Sequence, residues 1–329
     1  MKRLQLLALA LGLLGLVTNA ASAQDKYPSK PIKIVLAYGA GSATDIITRI
    51  MCDQLRQVIG QPCVVENKPG AFGIIAIEEM ARSRPDGYTL MIGNVSTNAI
   101  TPVLFKDRFK IDYQKDVVAV ARLADLPTLL MATTKNFPPQ TLAEVITYAK
   151  ERPGKLKYAS PGAGSFPHYD MEILSKRAGI SMQAIHIKAG PPGFINDMTL
   201  GDIQLAFMNV ATSAPQIKAG TLKAIVTTTE KRLEDYPDVP TIAEAGFPGV
   251  GTMLWAGLFA PAGTPTPVLE TLQKAVVETL KSPSILESYK RQNIRSNPTA
   301  TLAQAQTWLN GEIASWQKIT SEIKIDLTD

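Results

Sequence analysis

Two spacings of apolar residues alternate along this chain. From Ile32 to Tyr38 the residues are mostly β-branched or apolar, Gly39-Ala40-Gly41-Ser42 interrupts them, and from Ile46 to Ile59 apolar residues return at helical spacing. That order predicts a strand, a glycine loop and a helix. Cys63 to Glu66, the turn Asn67-Lys68-Pro69-Gly70, and the helically spaced Ile74, Ile75, Ile77 and Met80 repeat it. Tyr88 to Ile92 predicts a third strand, followed by the loop Gly93-Asn94-Val95-Ser96-Thr97 and a helical turn. Val117 to Leu123 and Thr128 to Thr133 read as extended segments that lead into a second lobe.

The second lobe restarts the pattern. A helix over Leu142 to Lys150, with Thr141 at its cap, precedes a strand at Leu156 to Ala159. Ser160-Pro161-Gly162-Ala163-Gly164-Ser165 then turns into a helix from Pro167 to Ala178. Ile185 to Lys188 predicts a strand that ends in Ala189-Gly190-Pro191-Pro192-Gly193, before a short helix. Ile203 to Met208 and Leu222 to Thr227 add two strands, and Met253 to Ala260 another. Helices over Pro267 to Leu280 and Leu302 to Ile319 close the chain. Repeated β-loop-α units predict an α/β fold with right-handed crossovers, mainly parallel sheets, and a cleft between two lobes.

The first residues change where this fold is expected to work. Lys2 and Arg3 precede an apolar run from Leu4 to Val17, and Ala21-Ser22-Ala23 supplies small residues for cleavage. This reads as a signal peptide over residues 1–23, removed near Ala23/Gln24. Its apolar run is shorter than the roughly 20 residues of a membrane span. The first cysteine is Cys52, so no lipid anchor is expected at the cleavage point. A soluble product outside the inner membrane makes enzymes that draw on cytoplasmic ATP or NADH poor candidates.

Composition adds little to that picture. A hydrophobic share of 45% and a charged share of 19% describe a well-cored globular chain. Lys2 and Arg3 account for two of the net +5, which leaves +3 on the mature chain, spread without a basic block. Mild attraction of small anions fits this better than nucleic-acid binding. Cys52 and Cys63 lie in a compartment that permits disulfides. They could form a bridge between the first helix and second strand, or remain two small thiols in the core.

The glycine loops carry the candidate chemistry. Gly39-Ala40-Gly41-Ser42 and Gly162-Ala163-Gly164-Ser165 share four letters, one copy per lobe, each between a strand and a helix. The first N–H groups of a helix have no backbone partner, and its dipole adds roughly half a positive charge there. Such a loop can hold a carboxylate or phosphate without a basic side chain. Ser42, Thr44 and Ser165 could add hydroxyl donors, and Asp45 would cap the first helix. Gly70-Ala71-Phe72-Gly73 and Gly190 extend the same logic. Nucleotide motifs fit badly, because Thr44 stands where a dinucleotide fingerprint needs Gly or Ala and no P-loop occurs.

Turnover finds less support. Neither His168 nor His186 has partners at metal-ligand spacing, and no Gly-x-Ser-x-Gly elbow is present. His168 follows Ser165 by three residues, so it could touch a ligand or simply pack. No metal and no cofactor are expected, and binding is favoured over catalysis.

The chain resembles the Bug receptors, the TctC-like periplasmic substrate-binding components of tripartite tricarboxylate transporters. The resemblance rests on Pro31-Ile32-Lys33-Ile34-Val35, Gly39-x-Gly41 with Thr44-Asp45, Val65-Glu66-Asn67-Lys68-Pro69-Gly70-Ala71 and Pro85-Asp86-Gly87-Tyr88-Thr89-Leu90. It continues through Tyr158-Ala159-Ser160-Pro161-Gly162, Gly164-Ser165 with His168, Gly201-Asp202-Ile203-Gln204 and Trp255-x-Gly257-Leu258-Phe259-Ala260-Pro261. It implies a Venus-flytrap receptor, periplasmic and expected as a monomer, that gives a small carboxylate to inner-membrane permease subunits. One lobe would comprise residues 24–123 and 250–329, and the other 124–249. The acid would dock on Tyr38, Gly39, Gly41, Ser42, Thr44, Asp45, Gly70, Ala71, Phe72 and Gly73, with Ser96 and Thr97 nearby. Gly164, Ser165, His168 and Gly190 would then close over it. Phe72 stands where the family often has glycine, and Pro191-Pro192 where a Gly-Ala pair is common; Phe72 and Tyr38 would put aromatic surface near the carboxylate site, which points to an aromatic or flatter acid. A secreted α/β enzyme acting on an organic acid, or a ligand-sensing subunit for a signalling partner, are the alternatives.

Overall fold

The computed structural model describes residues 27–187, 190–325 and 327. The leader expected over residues 1–23 lies outside them. Among the described residues no helix is long and apolar enough to cross a membrane.

The chain opens with β1 (Ile32–Leu36), α1 (Ala43–Ile59), β2 (Cys63–Asn67), α2 (Ile74–Ala81), β3 (Thr89–Asn94) and β4 (Val117–Leu126). Beyond Pro127 come β5 (Thr128–Thr133), α3 (Leu142–Glu151), β6 (Lys157–Ser160), α4 (Phe166–Ala178) and β7 (Gln183–His186). Next are α5 (Pro191–Leu200), β8 (Leu205–Asn209), α6 (Val210–Lys218) and β9 (Leu222–Thr227). After residues 228–253 the chain finishes with β10 (Leu254–Pro261), α7 (Thr266–Lys281), α8 (Pro283–Arg291), the two-residue β11 (Arg295–Ser296) and α9 (Leu302–Glu322).

Local chemistry sets many of these boundaries. The Ser42 hydroxyl accepts the Asp45 N–H at the start of α1, and Gly60 ends that helix in the left-handed region. Thr141 and Glu144 form a reciprocal capping box on α3. Two helices escape the periodicity reading. In α6 an internal Pro215 masks the helical pattern. α8 follows α7 almost without a break, marked by Ser282 at its cap and Pro283 at its first position.

The strands form two sheets, ordered β11-β4-β10-β3-β1-β2 and β7-β6-β8-β5-β9. Apart from β11 they follow one plan: second, first and third local strands, then a visitor from elsewhere in the chain, then the fourth. Both sheets are mixed where mainly parallel ones were expected. β1 pairs parallel with β2 and β3, and β6 with β7 and β8. The visitors β10 and β5 are antiparallel to both neighbours. The reason is connectivity. Parallel neighbours need a crossover of a dozen or more residues, whereas β5 enters its sheet straight from β4 through Pro127.

Packing joins the chain's ends. Every residue of β10 is buried, as expected for a strand covered on both faces. Helices α7 and α8 lie on α1, and α9 lies on β4. The Trp255 indole on β10 donates to Glu312 of α9 at 2.8 Å and meets Trp308 edge-to-face at 4.6 Å. Thus the C-terminal helices cover the first sheet, whose β1–α1 and β2–α2 loops face the second lobe. Cys52 of α1 and Cys63 of β2 are free thiols in hydrogen-bond contact, so of the two readings the structure carries the unbridged one. Contact with Cys63, together with burial, pushes the Cys52 thiol up, while its partner is pushed down.

Candidate functional site

A cleft of about 690 Å³ lies between the lobes. The β1–α1 loop forms one wall, and a carboxylate holds it from behind. Asp45 accepts from Gly41 N–H at 2.9 Å, from Arg49, and from Asn67 Nδ2 at 3.0 Å. The same Asn67 amide donates to the Tyr38 carbonyl at 2.9 Å. Burial pushes the Asp45 pKa up, but these donors outweigh it and hold the carboxyl below its usual range. Asp45 therefore shapes the loop from behind. Neither Asp45 nor Gly41 lines the cleft.

The β2–α2 loop makes the next wall with an unusual turn. Gly70, Ala71, Phe72 and Gly73 all have positive φ, with Ala71 at 46° and Phe72 at 56°. For residues with a side chain this costs on the order of 1 kcal/mol each. The turn sets the Phe72 ring against Phe105, stacked with centroids 4.1 Å apart, and the Arg108 guanidinium lies over the Phe105 face at 4.7 Å. Thr101 Oγ1 donates to the Phe72 carbonyl at 2.8 Å and pins the strained residue. Phe72 thus packs and lines the cleft at once.

Beyond β3 a chain of polar groups is locked in place. Asn94 Nδ2 donates to Thr44 Oγ1 at 3.0 Å, and its Oδ1 accepts the Ser96 N–H at 2.9 Å. Thr97 Oγ1 donates to Asn98 Oδ1 at 2.6 Å, so the Tyr38 hydroxyl, 2.7 Å away, donates to Thr97. Asn98 Nδ2 continues to the buried Tyr113 hydroxyl at 2.9 Å. Burial raises both Tyr38 and Tyr113, which keeps these hydroxyls protonated. The close fit depends on Gly93, because a Cβ there would sit 1.7 Å from Asn98 Oδ1.

The second lobe meets these walls from above. The Phe166 N–H, first in α4, donates across the cleft to Ser96 Oγ at 3.2 Å. Gly164 permits this approach, since a Cβ there would sit 2.9 Å from Leu104 of the first lobe. The Ser165 hydroxyl turns inward to the Gly162 carbonyl at 2.7 Å. His168 accepts the Gly164 N–H at 3.2 Å, and its ring meets that of His186 edge-on at 4.9 Å. His168 therefore supports the loop and does not line the cleft. Gly190, Pro191 and Pro192 at the start of α5 complete this side. Deeper in α4, buried Asp170 accepts from Thr252 N at 2.8 Å and Thr252 Oγ1 at 2.7 Å, tying the helix to the return crossing. Burial pushes Asp170 up to about 7, although the bonds from Thr252 oppose it.

Of the residues singled out from the sequence, Tyr38, Gly39, Ser42, Thr44, Gly70, Ala71, Phe72, Gly73, Ser96, Thr97, Gly164, Ser165 and Gly190 line the cleft. Sequence reasoning missed Asn94 and Thr101, which share the β3 loop region with Ser96 and Thr97. It also missed Phe105, Phe166, Phe194, Phe207, Met208, Asn209 and Leu254. Asn209 carried a usable signal as a cap candidate between a strand and a helix; the apolar residues carried none. Among the described residues no Asp, Glu, Lys, Arg or His lines the cleft, and no cluster of three potential metal ligands occurs. A second depression, about 660 Å³, lies against β9 and is lined from one lobe only. It cannot couple binding to interlobe closure by contacting both lobes.

Comparison with known proteins agrees with this geometry. Residues 47–325 match the family model described as tripartite tricarboxylate transporter family receptor, TctC. A UPF0065 protein from the gbd 5′ region of Cupriavidus necator is 35% identical over 286 residues, covering 86% of this chain and 84% of its own. The structure of the periplasmic binding protein BugD aligns with a TM-score of 0.83 at 28% identity, over 91% of this chain and 99% of its own. R. palustris Rpa4515 with adipate aligns with a TM-score of 0.84 at 30% identity, over 90% and 97%. The chain belongs to the tripartite tricarboxylate transporter receptor family and is a solute-binding protein of the periplasmic type, not an enzyme.

Proposed function

We propose that this protein binds a small organic acid by closing its two lobes over it, and then presents the acid to the membrane permease of a tripartite transporter. The observation that carries the reading is the convergence of helix starts from both lobes on a cleft whose described lining has no charged side chain. Partial positive charge without a fixed cation suits a carboxylate that must later be released. The adipate bound in Rpa4515 fits this reading.

The acid docks first on the β1–α1 and β2–α2 loops, where the Asp45–Asn67 and Thr97–Asn98–Tyr113 networks hold the donors in place. Closure then brings α4 across, with the Phe166-to-Ser96 bond as one direct latch. A ligand that touches both walls shifts the population toward the closed form by its differential affinity for that form. The permease would recognise the closed surface. A thermal-shift series on the mature protein with di- and tricarboxylates, aryl acids and neutral amides tests binding. Native-only binding at a hundredfold excess over Kd adds about 2.7 kcal/mol. Stabilisation by acids alone, with the acid recovered unchanged, is the expected result. Silence for every acid would overturn the reading.

A further inference from the structure

We infer that the cargo is a monocarboxylate with a flat, apolar body, its carboxylate on the first lobe and its body against Phe72 and the second lobe. The inference rests on the receptor reading above and narrows it to a ligand class.

On the first-lobe wall, donors remain available. Thr44 Oγ1 accepts from Asn94, and Ser96 Oγ accepts from Phe166, so each hydroxyl still has its own proton to give. Ala43 and Thr44 are the first two residues of α1, and their N–H groups have no carbonyl a turn behind them. Two amides and two hydroxyls suit the lone pairs of one carboxylate.

On the second-lobe wall, the corresponding groups are committed or missing. The Ser165 hydroxyl donates to Gly162, the Gly164 N–H to His168, and the Phe166 N–H to Ser96. Proline supplies no N–H at the second position of α4 or at the first two positions of α5. Asn209 keeps part of its amide after bonding to Thr128, enough for one neutral polar substituent. Apart from the Gly162 and Ala163 amides, the rest of the described lining at this end is largely apolar, with Phe194, Phe207, Met208 and Leu254 facing the cleft. A second carboxylate placed here would give up its water for too few donors. An aromatic ring would instead extend the Phe72–Phe105 stack.

The test is calorimetric titration of the mature protein with benzoate, phenylacetate, hexanoate, adipate, citrate and benzamide. Benzoate or phenylacetate should bind at least tenfold tighter than adipate or citrate, and benzamide should not bind measurably. Phe72→Gly keeps the left-handed turn and should weaken the aryl acid five- to tenfold and hexanoate by less than half that factor; Phe72→Leu, which keeps apolar bulk without a ring, should weaken the aryl acid more than hexanoate. Tighter binding of adipate or citrate would overturn this inference and leave the receptor reading standing. Hexanoate tighter than both aryl acids would overturn the flat body. Benzamide equal to benzoate, or no binding by any acid, would overturn the receptor reading as well.

Discussion

The two lobes repeat one strand plan, yet their helix starts have been put to different uses. In the first lobe, Asp45 lies near the start of α1 with three partners, and its pKa is lowered. In the second, Asp170 lies in α4 and among the described residues is hydrogen-bonded through its carboxylate to Thr252 alone, and its pKa is raised to about 7. The first arrangement fixes a loop from behind and leaves the loop's own donors facing the cleft. The second ties a helix to the crossing segment, while the donors at its start are taken up by Gly162 and His168 within the lobe and by Ser96 across the cleft. Similar topology therefore does not make the two walls equivalent: one anchors charge and the other supplies shape.

The largest expected effect comes from separating the two carboxylates by pH. Asp170 has its folded pKa raised from 3.8 to about 7. The fold then binds the extra proton, so the Asp170 contribution falls as pH rises from 3.8 to about 7. Three pKa units correspond to roughly 4 kcal/mol at most. Asp170→Asn should remove that decline when denaturant stability is compared with wild type across this window. Asp45 has the opposite sign. Its contribution is present above the unfolded carboxylate value and is lost as pH falls below it, so Asp45→Asn should flatten the acid side alone. If Asp170→Asn leaves the curve between pH 4 and 7 unchanged, the contrast between the two carboxylates fails.

Next in size is Gly93→Ala, which drives a Cβ into Asn98. A loss of about 3 kcal/mol in urea unfolding is expected, the upper end for overpacking. A loss under about 0.5 kcal/mol would show that the Thr97–Asn98–Tyr113 network yields easily. Smaller again is Ser96→Ala, which removes the acceptor for Phe166 and a ligand donor. A hydrogen bond to a charged group at the low end, about 1.5 kcal/mol, predicts roughly tenfold weaker acid binding. Unchanged affinity would remove Ser96 from both latch and anchor.

Much of this arrangement was legible locally. Alternating periods located the strands, and glycine loops between strand and helix located most of the first-lobe wall. Thr141 signalled its helix through capping chemistry, whereas Ser42, which caps α1, reads from the sequence as a ligand donor. What stayed hidden depends on partners distant in sequence. The antiparallel visits of β5 and β10 follow from which lobe the chain is leaving, which local periodicity does not encode. Phe105 gains its role only by meeting Phe72, and Asp170 by meeting Thr252 some 82 residues on. Asp45 reads as a cap on the first helix, and the resemblance adds it to the docking residues. Its actual partners, Arg49 one turn along and Asn67 on the next strand, turn it into a support for the loop. Of the two readings of His168, touching a ligand or packing, the Gly164 N–H bonded to its Nδ1 fits the packing one.

The division between an anchoring wall and a shaping wall is tested most directly by titrating Thr44→Val and Ser165→Ala side by side with the tightest acid found for wild type. Thr44→Val should weaken binding about 30-fold, as expected for losing roughly 2 kcal/mol of hydrogen bonding to a charged group. Ser165→Ala should stay within about twofold, because its hydroxyl is already given to Gly162. Equal losses, or a larger loss for Ser165→Ala, would contradict the account.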